Sequence, residues 1–325
     1  MRGVLHIVPG AGDAANGMAV VARLLAGEQG GAEVADSCHW KSAAFEGDRE
    51  VWVHGMWLPC LWLACWRTLG RGCRLIRMTH GSLSPIYLKR QSPLKKRLVA
   101  PIERYFLRRA WKVVATCEAE ADWIRAFEPR AGRIEILDLK RFFRLPRGPS
   151  PVDCGRAQSM AGEDARPLHL LYLGRRHPLK GVEYLEKAAG IHNSPARPGR
   201  PGRRGAELRI VTNAAGDGKE RAWDWCDALV LPSLSENFGL VVAEALERGK
   251  RVVVTDGAPA WAGECLDGPD VAGCGNACPG MRMGYSGRLI CVDGYRDAPP
   301  ERKPELLAEA IDLVARLRDL PRNCQ

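Results

Sequence analysis

Short runs of β-branched and aliphatic residues alternate along the chain with segments of helical period, and loops rich in Gly, Pro and Ser separate them. Residues 4–8 (VLHIV) read as a strand. A Gly-rich loop follows, then a segment whose apolar Met18, Val21, Leu24 and Leu25 share one helical face. Further strands are expected at 50–57, with His54-Gly55 in its closing loop, just before His80-Gly81, at 112–115 and at 133–137. Between them lie helical segments at 58–72 and after Thr116, the latter capped by Thr116 and entered by acidic residues that suit a helix N-terminus. The second half repeats the alternation. It has a buried strand near 168–173, a basic loop, a helix, strands at 207–212 and 228–231, and the unit LPSLSENFGLVVAEALERGKRVVVTDGAPAW at 231–261. A short strand at 288–292 and a helix at 304–318 close the chain. This pattern predicts an α/β protein with two Rossmann-like domains.

The pattern also places the boundaries. Residues 1–144 form the first domain, 145–167 a linker rich in Pro, Gly, Arg and Ser, 168–303 the second domain, and 304–325 a terminal helical segment. Residues 192–205 (HNSPARPGRPGRRG) read as a polar loop with no core-forming pattern. The length of 325 residues has room for about two domains.

Charge changes the picture. A formal net charge of +10 favours anionic partners such as nucleotide diphosphates, acidic glycolipids or anionic membrane surfaces. Residues 89–112 concentrate it, with nine Lys or Arg and one acidic residue. There Leu94, Leu98, Ile102, Tyr105 and Phe106 recur on one face around Pro101, where the helix is expected to kink or split. Such a segment is either a solvated helix face or a surface for anionic membranes. Nucleic acid is not expected, since no interleaved aromatics or known module accompany the charge. The N-terminus moves straight into a strand, and the apolar stretch at 51–66 is too short to span a bilayer. A cytoplasmic protein is expected, at most peripheral on the inner face of the cytoplasmic membrane. The 12 cysteines lack a zinc-type spacing, so they read as reduced core residues, and neither a metal nor a cofactor is expected. Cys274 and Cys278, with Cys265 and Cys291 nearby, are the one cluster where a metal is conceivable. The loop GAGDAANG is not the dinucleotide fingerprint, and no acidic residue ends a clear second strand, so NAD is not expected.

Candidate chemistry centres on Glu236, in the loop before a helix, and Glu244, on that helix. Carboxylates suit the hydroxyls of a sugar or ribose. The amides of Asn237, Phe238 and Gly239 would open a helix N-terminus suited to phosphate. Arg175 and Lys180 flank a tight loop ending in Gly181, and such a pair suits a diphosphate.

The phrase carried by Pro232, Ser233, Glu236, Phe238, Gly239, Glu244 and Ala245 resembles the Glu-x7-Glu signature of the group-1 retaining glycosyltransferases of the GT-B fold. The G-R-x-x-x-x-K-G segment at 174–181, the ATCEAE segment at 115–120 and the HGMW and THGSLSP segments are similar to parts of the same family, notably members that build polysaccharide and lipopolysaccharide. The resemblance implies two Rossmann-like domains facing across a cleft, with the final helix packing back across both. It implies transfer of a sugar from a nucleotide donor to a cell-surface glycan or glycolipid, with retention and without a metal. It gives Glu236 the donor sugar, Glu244 the ribose, the amides of Phe238, Gly239 and Leu240 the sugar and diphosphate, Arg175 and Lys180 the departing diphosphate, and His80 a place near the reacting centre. It puts Asn16 and Gly17 against the donor phosphates, although Gly17 also fits a plain turn that needs a positive φ. One departure stands out: between the strands at 207–212 and 228–231 the family has a further helix and strand. The second domain is therefore expected to be short by one β-α unit, leaving base recognition open. Epimerisation of a nucleotide sugar, or a degenerate binding protein without activity, are the other readings.

Overall fold

The computed structural model describes residues 3–40, 45, 49–90, 92–146, 166–195, 205–212, 215–265, 280–285 and 288–318. The chain divides into two compact units, 1–142 and 143–325. Most of the expected linker and of the loop at 192–205, and both Cys274 and Cys278, lie outside the described residues.

The first unit alternates strand and helix. In order, the elements are β1 (Val4–Val8), α1 (Gly17–Glu28), β2 (Glu33–Asp36), β3 (Glu50–His54), α2 (Pro59–Gly70), β4 (Arg74–Met78), α3 (Pro85–Arg90), α4 (Pro93–Arg109), β5 (Lys112–Ala115), α5 (Glu118–Phe127) and β6 (Arg133–Ile136). The strands form one sheet in the order β2-β1-β3-β4-β5-β6, and every pairing is parallel. Parallel strands must be covered on both faces, and β3 and β4 accordingly bury Val51, Val53, Leu75 and Ile76 completely or nearly so. Leu61, Ala64 and Cys65 of α2 and Phe106 and Leu107 of α4 complete that core.

Three sequence expectations need correction here. A second strand does end on an acidic residue, because β2 closes at Asp36. Its sequence EVAD is too short and too exposed on a sheet edge to show a strand pattern. Asp36 spends its carboxylate locally, accepting from the amides of Ala11 at 3.1 Å and Cys38 at 2.9 Å. The helix at 93–109 is not split at Pro101 but runs through it, and the break falls before Pro93. The cap of α5 is Cys117 rather than Thr116.

The second unit contains β7 (Leu168–Leu173), α6 (Val182–Asn193), β8 (Ala206–Val211), α7 (Asp217–Trp225), β9 (Ala228–Leu231), α8 (Leu240–Glu247), β10 (Arg251–Thr255), α9 (Pro259–Ala262), β11 (Met281–Gly284), β12 (Leu289–Val292) and α10 (Lys303–Arg318). Its sheet runs β11-β12-β10-β9-β7-β8, with only β11 antiparallel. The interval between β8 and β9 holds the single helix α7, and β8 lies at the sheet edge, which is compatible with a unit shortened by one β-α pair. The apolar face of α10 packs on α6, β10 and β12 of this unit.

Both sheets have a topological switch point. In the first, β1 lies between β2 and β3; in the second, β7 lies between β8 and β9. Ligands of open α/β sheets bind outside the carboxyl ends of the strands at such points. The loops there are 9–16 and 55–58 in the first unit, and 174–181 and 232–239 in the second.

Candidate active site

In the second unit the two switch-point loops are bonded to each other. Leu234 donates its amide to the Leu179 carbonyl at 2.8 Å. Gly181 has φ of +64°, and a Cβ there would sit 2.2 Å from the Pro232 carbonyl oxygen. Only glycine permits so close an approach. Below them, Thr255 Oγ1 donates to the Ser233 carbonyl at 2.5 Å, and the Glu236 amide donates to the Gly257 carbonyl at 2.8 Å. Gly257 is required for the same reason as Gly181, since its Cβ would lie 2.0 Å from the Ser233 oxygen. The Trp261 indole N–H closes the far side on the Phe238 carbonyl.

This frame brings Lys180 and Glu236 together: Lys180 Nζ donates to Glu236 Oε2 at 2.5 Å, and Ser233 Oγ donates to the same oxygen at 3.2 Å. Glu244 is paired too. Lys219 Nζ lies 2.8 Å from its Oε1 and 2.7 Å from its Oε2. Both carboxylates of the signature therefore hold a lysine, and both pairs are mostly buried. Lys219 was missed in sequence. It stands on α7, in the interval read only as truncated, and nothing in its local sequence marks it.

Gly239 takes φ of +69° as the cap of α8. Among the described residues, the amides of Phe238, Gly239 and Leu240 have no acceptor. Asn237 donates its amide to Glu236 Oε1 at 3.3 Å. Phe238, Gly239 and Leu240 thus form an open helix N-terminus beside the two carboxylates, as a phosphate site requires. Arg175 is exposed and makes no side-chain bond to another described residue, whereas the neighbouring Arg176 is bonded to Glu186 at 2.5 Å. Of these two arginines, Arg175 is the one whose guanidinium no other described residue engages. His177 has its pKa lowered by burial and by Lys180 and Arg175, and its Nδ1 accepts the Leu179 amide at 3.2 Å.

The first unit has its own cluster of polar groups at the carboxyl edge. His80 lies in the loop after β4 with φ of +50°, a conformation that costs a non-glycine residue about 1–3 kcal/mol and persists only where its surroundings over-determine it. Here they do. The buried Glu120 accepts from Thr79 Oγ1 and the Gly81 amide, both at 2.6 Å, and with its other oxygen from Thr116 Oγ1 and the Thr116 amide, both at 2.8 Å. The carboxylate of the ATCEAE segment is thus a staple for the loop that carries His80.

The His80 ring continues into a chain of imidazoles. Its Nε2 lies 2.9 Å from His54 Nδ1, His54 Nε2 lies 2.9 Å from His6 Nδ1, and His6 Nε2 lies 2.7 Å from Gln29 Oε1. Burial lowers the pKa of all three rings, that of His80 to about 3, and neighbouring positive charge lowers His54 further. Neutral rings linked this way must share one direction of donation, so the group bonded at Gln29 selects the tautomer of His80. His54 is the buried middle link.

Asn16 has structural work. Asn16 caps α1, accepting from the Met18 amide at 3.1 Å and donating to the Pro9 carbonyl at 2.6 Å. Gly17 is the first residue of α1 and is not among the glycines of positive φ, so no turn requires it.

The model of the glycosyl transferase 4-like domain matches residues 12–139, and that of the glycosyl transferases group 1 matches residues 215–263. D-inositol 3-phosphate glycosyltransferase of Streptomyces coelicolor is 26% identical over 246 residues, which are 64% of this chain and 50% of that protein. The enzyme of the same name from Arthrobacter sp. FB24 is 34% identical over 130 residues, 33% of this chain and 30% of that one. The chain thus spans about half the length, or less, of the curated relatives it matches. Among solved structures, sucrose-phosphate synthase from Thermosynechococcus elongatus superposes with a TM-score of 0.59 at 15% identity, covering 100% of this chain and 93% of its own. Anabaena HepE, solved with UDP, gives 0.54 at 15% identity over 97% and 95% of the two chains. At that identity the likeness is one of fold.

Proposed function

From the premise that the chain belongs to the group-1 family of GT-B glycosyltransferases, we propose that it transfers a sugar from a nucleotide-sugar donor to a cell-surface glycan or glycolipid, at the inner face of the cytoplasmic membrane. The observation that carries this reading is the pairing of both signature glutamates with lysines beside an open helix N-terminus. Each ion pair offers a carboxylate for hydroxyls and a cation for phosphate, and the unbonded amides offer further donors for oxygen.

In the mechanism we propose, Glu236 binds the hydroxyls of the donor sugar and Glu244 those of the ribose, while the amides of Phe238, Gly239 and Leu240 hold the sugar and diphosphate. Lys180 and Arg175 meet the charge that grows on the diphosphate as its bond to the anomeric carbon breaks. The acceptor oxygen bonds to the same face of that carbon, and its proton passes to the freed phosphate oxygen, so configuration is retained. His80 lends one neutral ring nitrogen to the sugar or phosphate.

Nucleotide release from a panel of UDP-, GDP- and ADP-sugars tests the reading, beside a Glu244→Ala control. Turnover of one donor, lost in the variant, supports it. Conversion of a donor to its epimer without acceptor points to epimerisation instead. Absence of both turnover and binding across the panel makes the chain a degenerate scaffold that has lost its donor site, a reading that the short interval between β8 and β9 favours.

A further inference from the structure

The apolar stripe of α4 faces outward. Leu94 and Leu98 are 72% and 73% exposed, and Ile102 and Tyr105 are exposed with them. The helix meets the core instead through Lys96, Glu103, Phe106 and Leu107. Glu103 is the anchor: fully buried, it accepts from Arg77 Nη2 at 2.9 Å, the Trp57 amide at 2.5 Å and the Trp62 indole at 2.8 Å. Lys96 is turned inward as well, donating to the Tyr87 carbonyl at 2.6 Å. Trp66 of α2 stacks on Tyr105 with ring centroids 5.7 Å apart and, with Leu63, carries the apolar ridge onto that helix; these two are 58% and 57% exposed.

The rim of this ridge is cationic. At 3.6 residues per turn, Arg97, Arg104 and Arg108 run along one side of the α4 stripe, Arg108 paired with Glu128, while Lys95 lies on the other side and Arg109 lies over the Tyr105 ring. The helix's one acidic residue, Glu103, is consumed inside, so the outward surface of α4 carries no negative charge. Lys95 and Arg97 make no ion pair with a described residue. A contiguous ridge of large apolar side chains is rare on a soluble surface, and an apolar stripe between rows of cations matches a bilayer interface, with acyl chains at the centre and anionic headgroups on both flanks.

We infer that the outward face of α4, with Leu63 and Trp66 of α2, seats on an anionic lipid bilayer. The inference deepens the proposed function and rests on it only for the acceptor; the surface itself belongs to the first unit. Seated there, the chain would meet an acceptor held in the membrane by its lipid.

Flotation of the full chain with vesicles of phosphatidylglycerol and phosphatidylcholine, against pure phosphatidylcholine, tests it. The wild type should float with the anionic vesicles and much less with the neutral ones, and high salt should weaken the binding. Replacing Leu94 and Leu98 by Ser should lower vesicle affinity by at least about tenfold, and Lys95→Ala with Arg97→Ala should lower it for anionic vesicles alone. Neither double variant touches the anchored face, so circular dichroism should be unchanged. Equal flotation of wild type and the leucine variant overturns the inference, as does failure of the wild type to float. A dimer in sedimentation that Leu98→Glu dissociates, without flotation, gives the ridge to a second copy instead. Release of nucleotide from a soluble donor is measured on the same samples. Flotation without release leaves this inference standing and removes the transferase reading, and release without flotation does the reverse.

Discussion

Lys180 and Glu236 are bonded to each other at 2.5 Å, although they come from the loops after β7 and β9. The lysine proposed to meet the donor's diphosphate and the carboxylate proposed to hold its sugar are therefore each other's partner before any donor arrives. Donor binding must insert a phosphate oxygen beside the ammonium and hydroxyls beside the carboxylate, exchanging one ion pair for two charge-assisted contacts. The same holds for Lys219 and Glu244.

Lys180→Ala should therefore cost more than a phosphate contact. It removes the cation and leaves Glu236 mostly buried with the weaker donors Ser233 Oγ and the Asn237 amide. Turnover of donor should fall about a hundredfold or more, and a diphosphate nucleotide should no longer raise the melting temperature. Undiminished turnover would remove Lys180 from the site.

Arg175 and Arg176 separate by what they already hold. Arg175→Ala should lower donor turnover by about tenfold or more. Arg176→Ala, which breaks an exposed pair with Glu186, should stay within about twofold in turnover and leave the melting temperature essentially unchanged. Steady-state kinetics on the two variants decides the assignment.

Gly181→Ala should damage fold and site together. A Cβ 2.2 Å from the Pro232 oxygen forces the two loops apart in a backbone region that alanine disfavours. A loss of about 2 kcal/mol or more in urea unfolding is expected, with activity lost even where the variant is folded.

Breaking the buried Arg77–Glu103 pair should destabilise the first unit by about 3–5 kcal/mol, because Glu103→Gln leaves the guanidinium uncompensated. Arg77→Met with Glu103→Met should recover part of this. Full recovery would contradict the structure, since the Trp57 amide and the Trp62 indole also lose their acceptor. Denaturant titration of the three proteins measures it.

The histidine chain sets a pH dependence. The folded pKa values lie below the ordinary 6.5, and that of His80 is about 3, so the unfolded chain binds more protons between those limits. Stability that is full above pH 6.5 should fall as the pH drops toward 3, by up to about 1.4 kcal/mol per pH unit for each ring that must stay neutral. His54→Asn should be less stable at neutral pH and show a flatter dependence. Unfolding followed at pH 7 and pH 5 provides the check.

Some parts of this arrangement are local and some are not. The strands at 4–8, 112–115 and 252–255 and the helix after Gly239 follow from composition and period, because a strand buried on both faces needs an apolar run. The Glu236 and Glu244 motif is equally local, since loop, cap and helix are contiguous. β2 was not legible, because an edge strand of four residues, half exposed, carries no such run. Lys219 and Glu120 were not legible either, since each matters only through a partner brought to it by the sheet order or the turn.

The sequence by itself determined the two α/β halves, the tight loops at Gly181 and Gly239, and the residues that bear charge. Only the tertiary structure decided which charges meet: Lys180 with Glu236, Lys219 with Glu244, Arg77 with Glu103, and three histidines in line. It also decided that the apolar stripe of α4 faces out. Helical period sorts residues by angle but does not say which angle meets the core. Here one buried ion pair, joined by a backbone amide and an indole N–H, and two apolar side chains anchor the inner face, and the larger apolar stripe is left on the surface.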